Sequence, residues 1–181
     1  MPGIFASTYQ AVQVAYAMAA ASPFCCSNMQ SIYRQMQADS RHKSSLDGGV
    51  DWSGLTVMEQ RAECANIRDM IEHIYSGADV DVILAKFAQD ELQVPAIQRM
   101  ITYIAPRVRG TSQAVVLDLL VWIYYDRKRR PSLRGIARHH GLSDRRVRDA
   151  LQAVGEITDE LETGALERIG RVLVRCGYVR G

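Results

Sequence analysis

The chain has 181 residues, 48% of them hydrophobic and 23% charged, enough apolar material for one domain with a substantial core or for two small ones. Its four cysteines (Cys25 and Cys26 adjacent, Cys64 and Cys176 isolated) fit neither a secreted disulfide framework nor paired zinc ligands and point to a reducing cytosol. The net charge of +2 hides a segregation, because residues 47–91 hold ten acidic and three basic side chains and residues 127–148 nine basic and one acidic. The basic pole suits phosphates, and the acidic pole is left for a different partner.

Apolar residues recur at three and four along nearly every periodic segment, so the expected fold is all-α: a multi-helix globular protein with a C-terminal helix-turn-helix domain. Three stretches are expected: an N-terminal helical hairpin over 1–45, an acidic helical region over 46–110 serving as a protein-interaction surface, and a helix-turn-helix DNA-binding domain over 111–181. The first helix spans about 7–21. Its AVQVAYAMAAAS run has the small, apolar look of a signal peptide, but no Lys or Arg precedes it and Gln10, Gln13 and Tyr16 interrupt it. Val12, Tyr16 and Ala20 instead keep the four-residue spacing of an amphipathic helix. Ser22 and Pro23 suit the start of a second helix, with Phe24, Ile32 and Met36 on one side and an end near Ser40. Nothing else approaches the roughly 20 apolar residues of a membrane span, so a soluble protein with no membrane partner is expected.

A polar stretch with Gly48 and Gly49 reads as a flexible connection. Thr56 and Glu59 have capping-box spacing ahead of a helix whose Met58, Cys64, Ile67, Met70, Ile71 and Ile74 form an inward stripe, ended by Gly77. VDVILAKFA reads as a short helix burying Val82, Ile83 and Phe87. Pro95 suits the first turn of the next helix, which Pro106 and Gly110 close. Thr111 or Ser112 then caps QAVVLDLLVWIYYDRKRR, an apolar helix whose basic end complements its own dipole.

PSLRGIARHHGLSDRRVRDALQ, residues 131–152, carries the most specific pattern. Ser132 suits the N-cap of a helix ending at His140, Gly141 the turn, and Ser143 the N-cap of the next helix. Gly141 and Val147 stand four and ten residues after Ala137, flanked by Ile136 and Leu142, as in a helix-turn-helix. Arg145, Arg146, Arg148, Asp149 and Gln152 then fall on the outward side of the second helix as candidates for reading base edges. Arg134, Arg138 and His139, with the run Arg127, Lys128, Arg129 and Arg130, are candidates for gripping phosphates, and Ser143 lies at the same edge. An ordinary helical hairpin with a solvated charged face is the alternative. Beyond Val154, the residues Ile157, Leu161, Leu166, Ile169, Val172 and Leu173 form another stripe, read as a core helix or else as the seam of a homodimer, with Arg168, Arg171 and Arg175 on its polar side.

No constellation of acids, bases and nucleophiles assembles, so an enzyme and a cofactor are not expected. His139 and His140 are consecutive on a helix and make a poor pair of metal ligands, His73 reads as a surface feature beside Asp69 and Glu72, and Asp118 as a charge-paired structural residue. Cys25, Cys26, His42 and Cys64 are a conceivable zinc set by residue type, but their spacing matches no known module.

Taken together, WSGLTVMEQRAECANIRDMIEHI, LDLLVWIYYDRKRRPSLRGIARHHGLSDRRVRDAL and the closing LERIGRVLVRCGYV resemble the layout of bacteriophage late-gene antitermination proteins of the Q type and related phage helix-turn-helix regulators, over about 52–179. The resemblance implies binding to double-stranded DNA beside a late promoter, loading onto RNA polymerase holoenzyme through σ and core, and read-through of terminators in the bacterial host cytoplasm. It leaves the acidic segment and N-terminal helices free to meet polymerase. The paired CxxC ligands of the zinc module in some antiterminators have no counterpart here. Two other functions share the DNA-binding element: a plain repressor or activator, and a DNA-packaging protein of the small-terminase kind, which forms rings. A nuclease or recombinase fragment has no positive support.

Overall fold

The computed structural model describes residues 3–20, 50–52, 54–75, 77–125 and 128–180. Over these the protein is all-α, with α1 Thr8–Ala20, α2 Val57–Ile74, α3 Ala78–Phe87, α4 Asp90–Ile104, α5 Gln113–Tyr124, α6 Leu133–His139 and α7 Asp144–Arg175, plus a 3-10 turn at Ala105–Arg107. No strand forms among the described residues; a lone parallel bridge joins Phe5 to Val179. The expected helix from Pro23 to Ser40 and the Gly48-Gly49 connection lie outside the described residues. No helix that is described is long and apolar enough to cross a membrane.

Two compact units divide the chain. The first draws on Met1–Tyr75, Phe87–Gln89 and Leu166–Gly181, the second on Ser76–Lys86 and Asp90–Ala165.

In the first unit, the Ser7 hydroxyl accepts the Gln10 backbone N–H at 3.2 Å, and the Gln10 side-chain oxygen accepts the Ala6 N–H at 2.8 Å. This closes the start of α1 and satisfies a polar side chain that is wholly buried. The helix departs from the amphipathic expectation. Gln10, Ala11, Val12, Val14, Ala15, Tyr16 and Met18 are all buried, positions that go most of the way around the axis. Short side chains at Ala11 and Ala15 suit such close surroundings, and α1 packs against α2.

The capping box of α2 forms, with Glu59 N–H donating to Thr56 Oγ1 at 3.3 Å and Thr56 N–H to Glu59 Oε2 at 2.7 Å. Cys64, Ile67 and Ile71 are buried as expected, but Met58 is 74% exposed. Nine residues before Ile67, at about 100° per residue, Met58 falls on the opposite side of the helix. Buried Gln60 takes the inward place and donates to the Leu55 carbonyl at 3.0 Å. In the same unit, Phe5 N–H donates to Tyr178 O at 2.9 Å and Arg180 N–H to Phe5 O at 3.2 Å, while Phe5 meets Trp52 edge-on at 5.4 Å.

In the second unit α3 buries Val82, Ile83, Leu84 and Ala85. Phe87, assigned to the first unit, is only half-buried and stands edge-on to Tyr9 at 5.0 Å. Buried Asp81 is held by Arg99, whose Nε and Nη2 both lie 2.7 Å from Oδ1. The fourth helix starts at Asp90, so Pro95 lies inside it and not in its first turn. Pro95 has no N–H for the Glu91 carbonyl, and both residues are exposed, which leaves that carbonyl to water. Ser112 caps α5 by accepting the Val115 N–H at 3.4 Å. That helix ends at Tyr124, before the basic run it was expected to include. Tyr124 donates to Glu162 Oε1 at 3.0 Å, and Lys86 pairs with the other oxygen, linking α3, α5 and α7 through one largely buried carboxylate.

The stripe beyond Val154 belongs to no separate helix, because α7 runs unbroken from Asp144 to Arg175 through Gly155. Val147, Ala150, Val154, Thr158, Ala165, Ile169 and Leu173 are buried along it. Their spacing of three, four and four residues repeats over eleven, close enough to the helical period to stay on one side. Helix propensity lost at a glycine, about 1 kcal/mol, does not interrupt a helix anchored on both sides of it.

Two glycines of α7 give opposite expectations. A Cβ on Gly170 would meet Thr8 Oγ1 at 2.5 Å, whereas one on Gly155 meets nothing within 4 Å. Gly170→Ala is expected to lower the unfolding free energy in urea by about 1–3 kcal/mol through overpacking against a stiff β-branched side chain. Gly155→Ala is expected to raise it by about 0.5–1 kcal/mol.

Burial also sets the alkaline limit. It pushes the Cys64 thiol up from 9.0 to about 12 and, reinforced by Glu63, the Tyr178 phenol from 10.0 to about 12. Tyr16 and Tyr124 are raised further by burial and by Glu72 and Glu162 respectively. Unfolded thiol and phenols release protons first, so their contribution to stability is complete below about pH 9 and lost as pH climbs through the folded values. Urea midpoints are expected to fall steadily above about pH 9, and a flat profile to about pH 11 would contradict this.

Candidate nucleic-acid interface

The α6–α7 corner lies within the second unit and is built from backbone chemistry outward. Ser132 Oγ accepts the Gly135 N–H at 3.0 Å and opens α6. The helix closes on Gly141, whose φ of +63° few side chains tolerate. There Leu142 N–H reaches the Ala137 carbonyl at 2.9 Å and Gly141 N–H the Arg138 carbonyl at 3.4 Å, the paired bonds of a Schellman ending. Ser143 Oγ then accepts the Arg146 N–H at 3.3 Å and its carbonyl accepts the Val147 N–H at 3.1 Å, starting α7. Ile136, Ala137, Val147 and Ala150 are buried beneath the corner and Leu142 is half-buried.

His140 ends α6 with Nε2 at 2.8 Å from Asp118 Oδ2 on α5; the sequence expected a charge partner for Asp118 but did not identify this one. His139 is exposed, its ring edge-on to that of His140 at 4.8 Å.

Ser143, Arg145, Arg146, Arg148, Asp149 and Gln152 are all exposed on α7 or its cap, as are Arg134, Arg138 and His139 on α6. Arg134 Nε lies 3.7 Å from Asp144 Oδ2 and Arg145 Nε 4.0 Å from Asp149 Oδ2. These are open, solvated pairs of the kind that contribute little and exchange readily. Gln152 donates to Glu156 at 3.0 Å. Among the described residues no carboxylate pairs with Arg138, Arg146 or Arg148. With Val147 inward and about 100° per residue, Arg145, Asp149 and Gln152 line the outermost row, and Arg146 and Arg148 form its two shoulders.

The basic run is shaped by aromatic rings. Arg130 stacks over Trp122 with Cζ 4.2 Å from the ring centroid and donates to the Trp122 carbonyl at 3.5 Å, and Arg129 lies 5.3 Å from the centre of Tyr125. Arg130 thereby meets a carbonyl at the end of α5 although the run itself has left the helix. Lys128 is exposed, and Arg127 lies outside the described residues. Arg168, Arg171 and Arg175 fall in the first unit. Two further exposed arginines, Arg107 and Arg109, stand in the loop before α5. Sequence reasoning missed them; the only signal was an Arg-Val-Arg triplet ahead of a glycine.

No group of three His, Cys, Asp or Glu side chains is placed to hold a metal ion among the described residues. Cys25, Cys26 and His42 lie outside them, and Cys64 is buried. Comparison of the sequence with protein-family models and with curated proteins finds no match.

Gly141→Ala forces a side chain into the left-handed region and is expected to lower the unfolding free energy by about 1–2 kcal/mol. Hydrogen exchange on α6 is expected to rise with it. An unchanged urea midpoint would mean that the turn relaxes to another ending.

Proposed function

We propose that the protein is a sequence-specific, double-stranded DNA-binding transcription regulator, and more narrowly a phage late-gene antitermination factor that loads on RNA polymerase holoenzyme at a promoter-proximal site. One observation carries the DNA-binding reading: a largely unpaired arginine edge lies on two helices whose mutual geometry is held by a glycine turn and a buried Ile136–Ala137–Val147 seam. An exposed helical edge of this kind matches what a major groove accepts.

In that reading the outer row Arg145, Asp149 and Gln152 brings a guanidinium for guanine, a carboxylate for the cytosine amine and an amide for adenine. Arg134, Arg138, His139, Arg146 and Arg148 meet phosphates and set register. The narrower reading rests on the resemblance in sequence layout, with the acidic residues 47–91 offered to polymerase or σ.

Arg145→Ala with Arg148→Ala is expected to weaken duplex binding by roughly 2–4 kcal/mol in total, read by fluorescence anisotropy on the DNA upstream of the protein's own late genes. Purified holoenzyme transcribing from that promoter is expected to pass a downstream terminator only when the protein is present. A promoter footprint without read-through reduces the function to that of a repressor or activator, and absence of any duplex binding overturns the proposal.

A further inference from the structure

We infer that the loop through Arg107, Val108, Arg109 and Gly110 is a second phosphate-gripping element, which clamps the sugar–phosphate backbone of a duplex on the Arg146 shoulder of α7; this rests on the DNA-binding reading above. The loop leaves α4 through the 3-10 turn Ala105–Arg107 and is pinned at its centre. Val108 is 5% exposed and its N–H reaches the Ala105 carbonyl at 3.3 Å. With Val108 held inward, its neighbours Arg107 and Arg109 are both exposed. Gly110, at φ +68°, then turns the chain towards the Ser112 cap of α5.

Proximity to the arginine edge is direct. A Cβ on Gly110 would lie 3.9 Å from Arg146 Nη2. Three guanidinium-bearing residues therefore share one region, and among the described residues no carboxylate pairs with any of them. Arg99, Arg134 and Arg145 of this unit have carboxylates at hand in Asp81, Asp144 and Asp149, whereas these three, like Arg138 and Arg148 on the same edge, have none among the described residues. Unneutralised like charges repel one another, and a polyanion relieves that repulsion with release of its counterions.

The two shoulders of α7 differ in what stands beside them. Asp144, one turn before Arg148 and on the same side of the helix, contacts Arg134, which puts α6 on the Arg148 shoulder. Arg146, about 200° around the axis from Arg148, has the 107–110 loop instead. A helix lying in a groove has a phosphate backbone on each side. Here α6 would serve one strand and the loop the other, so Arg107 and Arg109 take phosphodiester oxygens without reading bases.

The test uses the full-length protein and a fluorescein-labelled random-sequence duplex of about 30 base pairs, with anisotropy followed across about 50–300 mM KCl. Arg107→Ala with Arg109→Ala is expected to weaken binding at least tenfold at the low-salt end and to reduce the slope of log K against log salt by about 2, one unit for each lost phosphate contact. The charge-keeping pair Arg107→Lys with Arg109→Lys is expected to keep the slope. Both pairs should unfold in urea as the wild type does. If the alanine pair binds like wild type while Arg145→Ala with Arg148→Ala is weakened, the clamp is wrong and the DNA reading stands. Loss of slope in the lysine pair also overturns the clamp, and a wild-type protein that ignores the duplex removes both.

Discussion

A single buried line along α7 is the constraint on which the described architecture depends. Val147, Ala150, Val154, Thr158, Ala165, Ile169 and Leu173 keep to one side over the whole helix, and most polar side chains are left to the other, Thr158 and the paired, largely buried Glu162 being the exceptions. That division lets the first turns of α7 carry Arg145, Arg146, Arg148, Asp149 and Gln152 in solvent without disturbing the seam beneath. The same line turns Thr158 inward, where its hydroxyl donates to the Gly155 carbonyl at 2.8 Å, so a polar residue sits in the stripe without an unpaired group.

Backbone punctuation was legible because it is local. The capping box at Thr56 and Glu59, the caps at Ser112 and Ser132, and the turn at Gly141 each involve residues within a few positions, where side-chain chemistry dictates a hydrogen bond. What could not be read was set by neighbours distant along the chain. The small-residue pattern of α1 is compatible with one buried face or several, and only its surroundings decide. Met58 looked like part of a stripe because it is apolar, but the phase of the helix turns it outward. The stripe beyond Val154 was read as a core helix of its own, yet the packed residues on both sides of Gly155 carry one helix through.

The candidate interface shows the same split. The arginines of α6 and α7 were legible from periodicity around Val147. The pairing of His140 with Asp118 links positions 22 apart, and the adjacency of Gly110 to Arg146 spans a longer interval; neither follows from spacing. Arg130 was read as free to grip a backbone, and the structure instead lays its guanidinium across Trp122. Aromatic faces just upstream of a basic run compete with any outside anion for those cations.

Beyond Gln152 the solvent side of α7 changes sign. Glu156, Asp159 and Glu160 are exposed there, and no lysine or arginine follows until Arg168. From Arg145 to Gln152 the helix rises about 10 Å, comparable to the width of a major groove at about 12 Å. A polyanion lying along this helix would be drawn to its amino end and repelled from its middle, so the length of the usable edge is written into the order of charges on one rod.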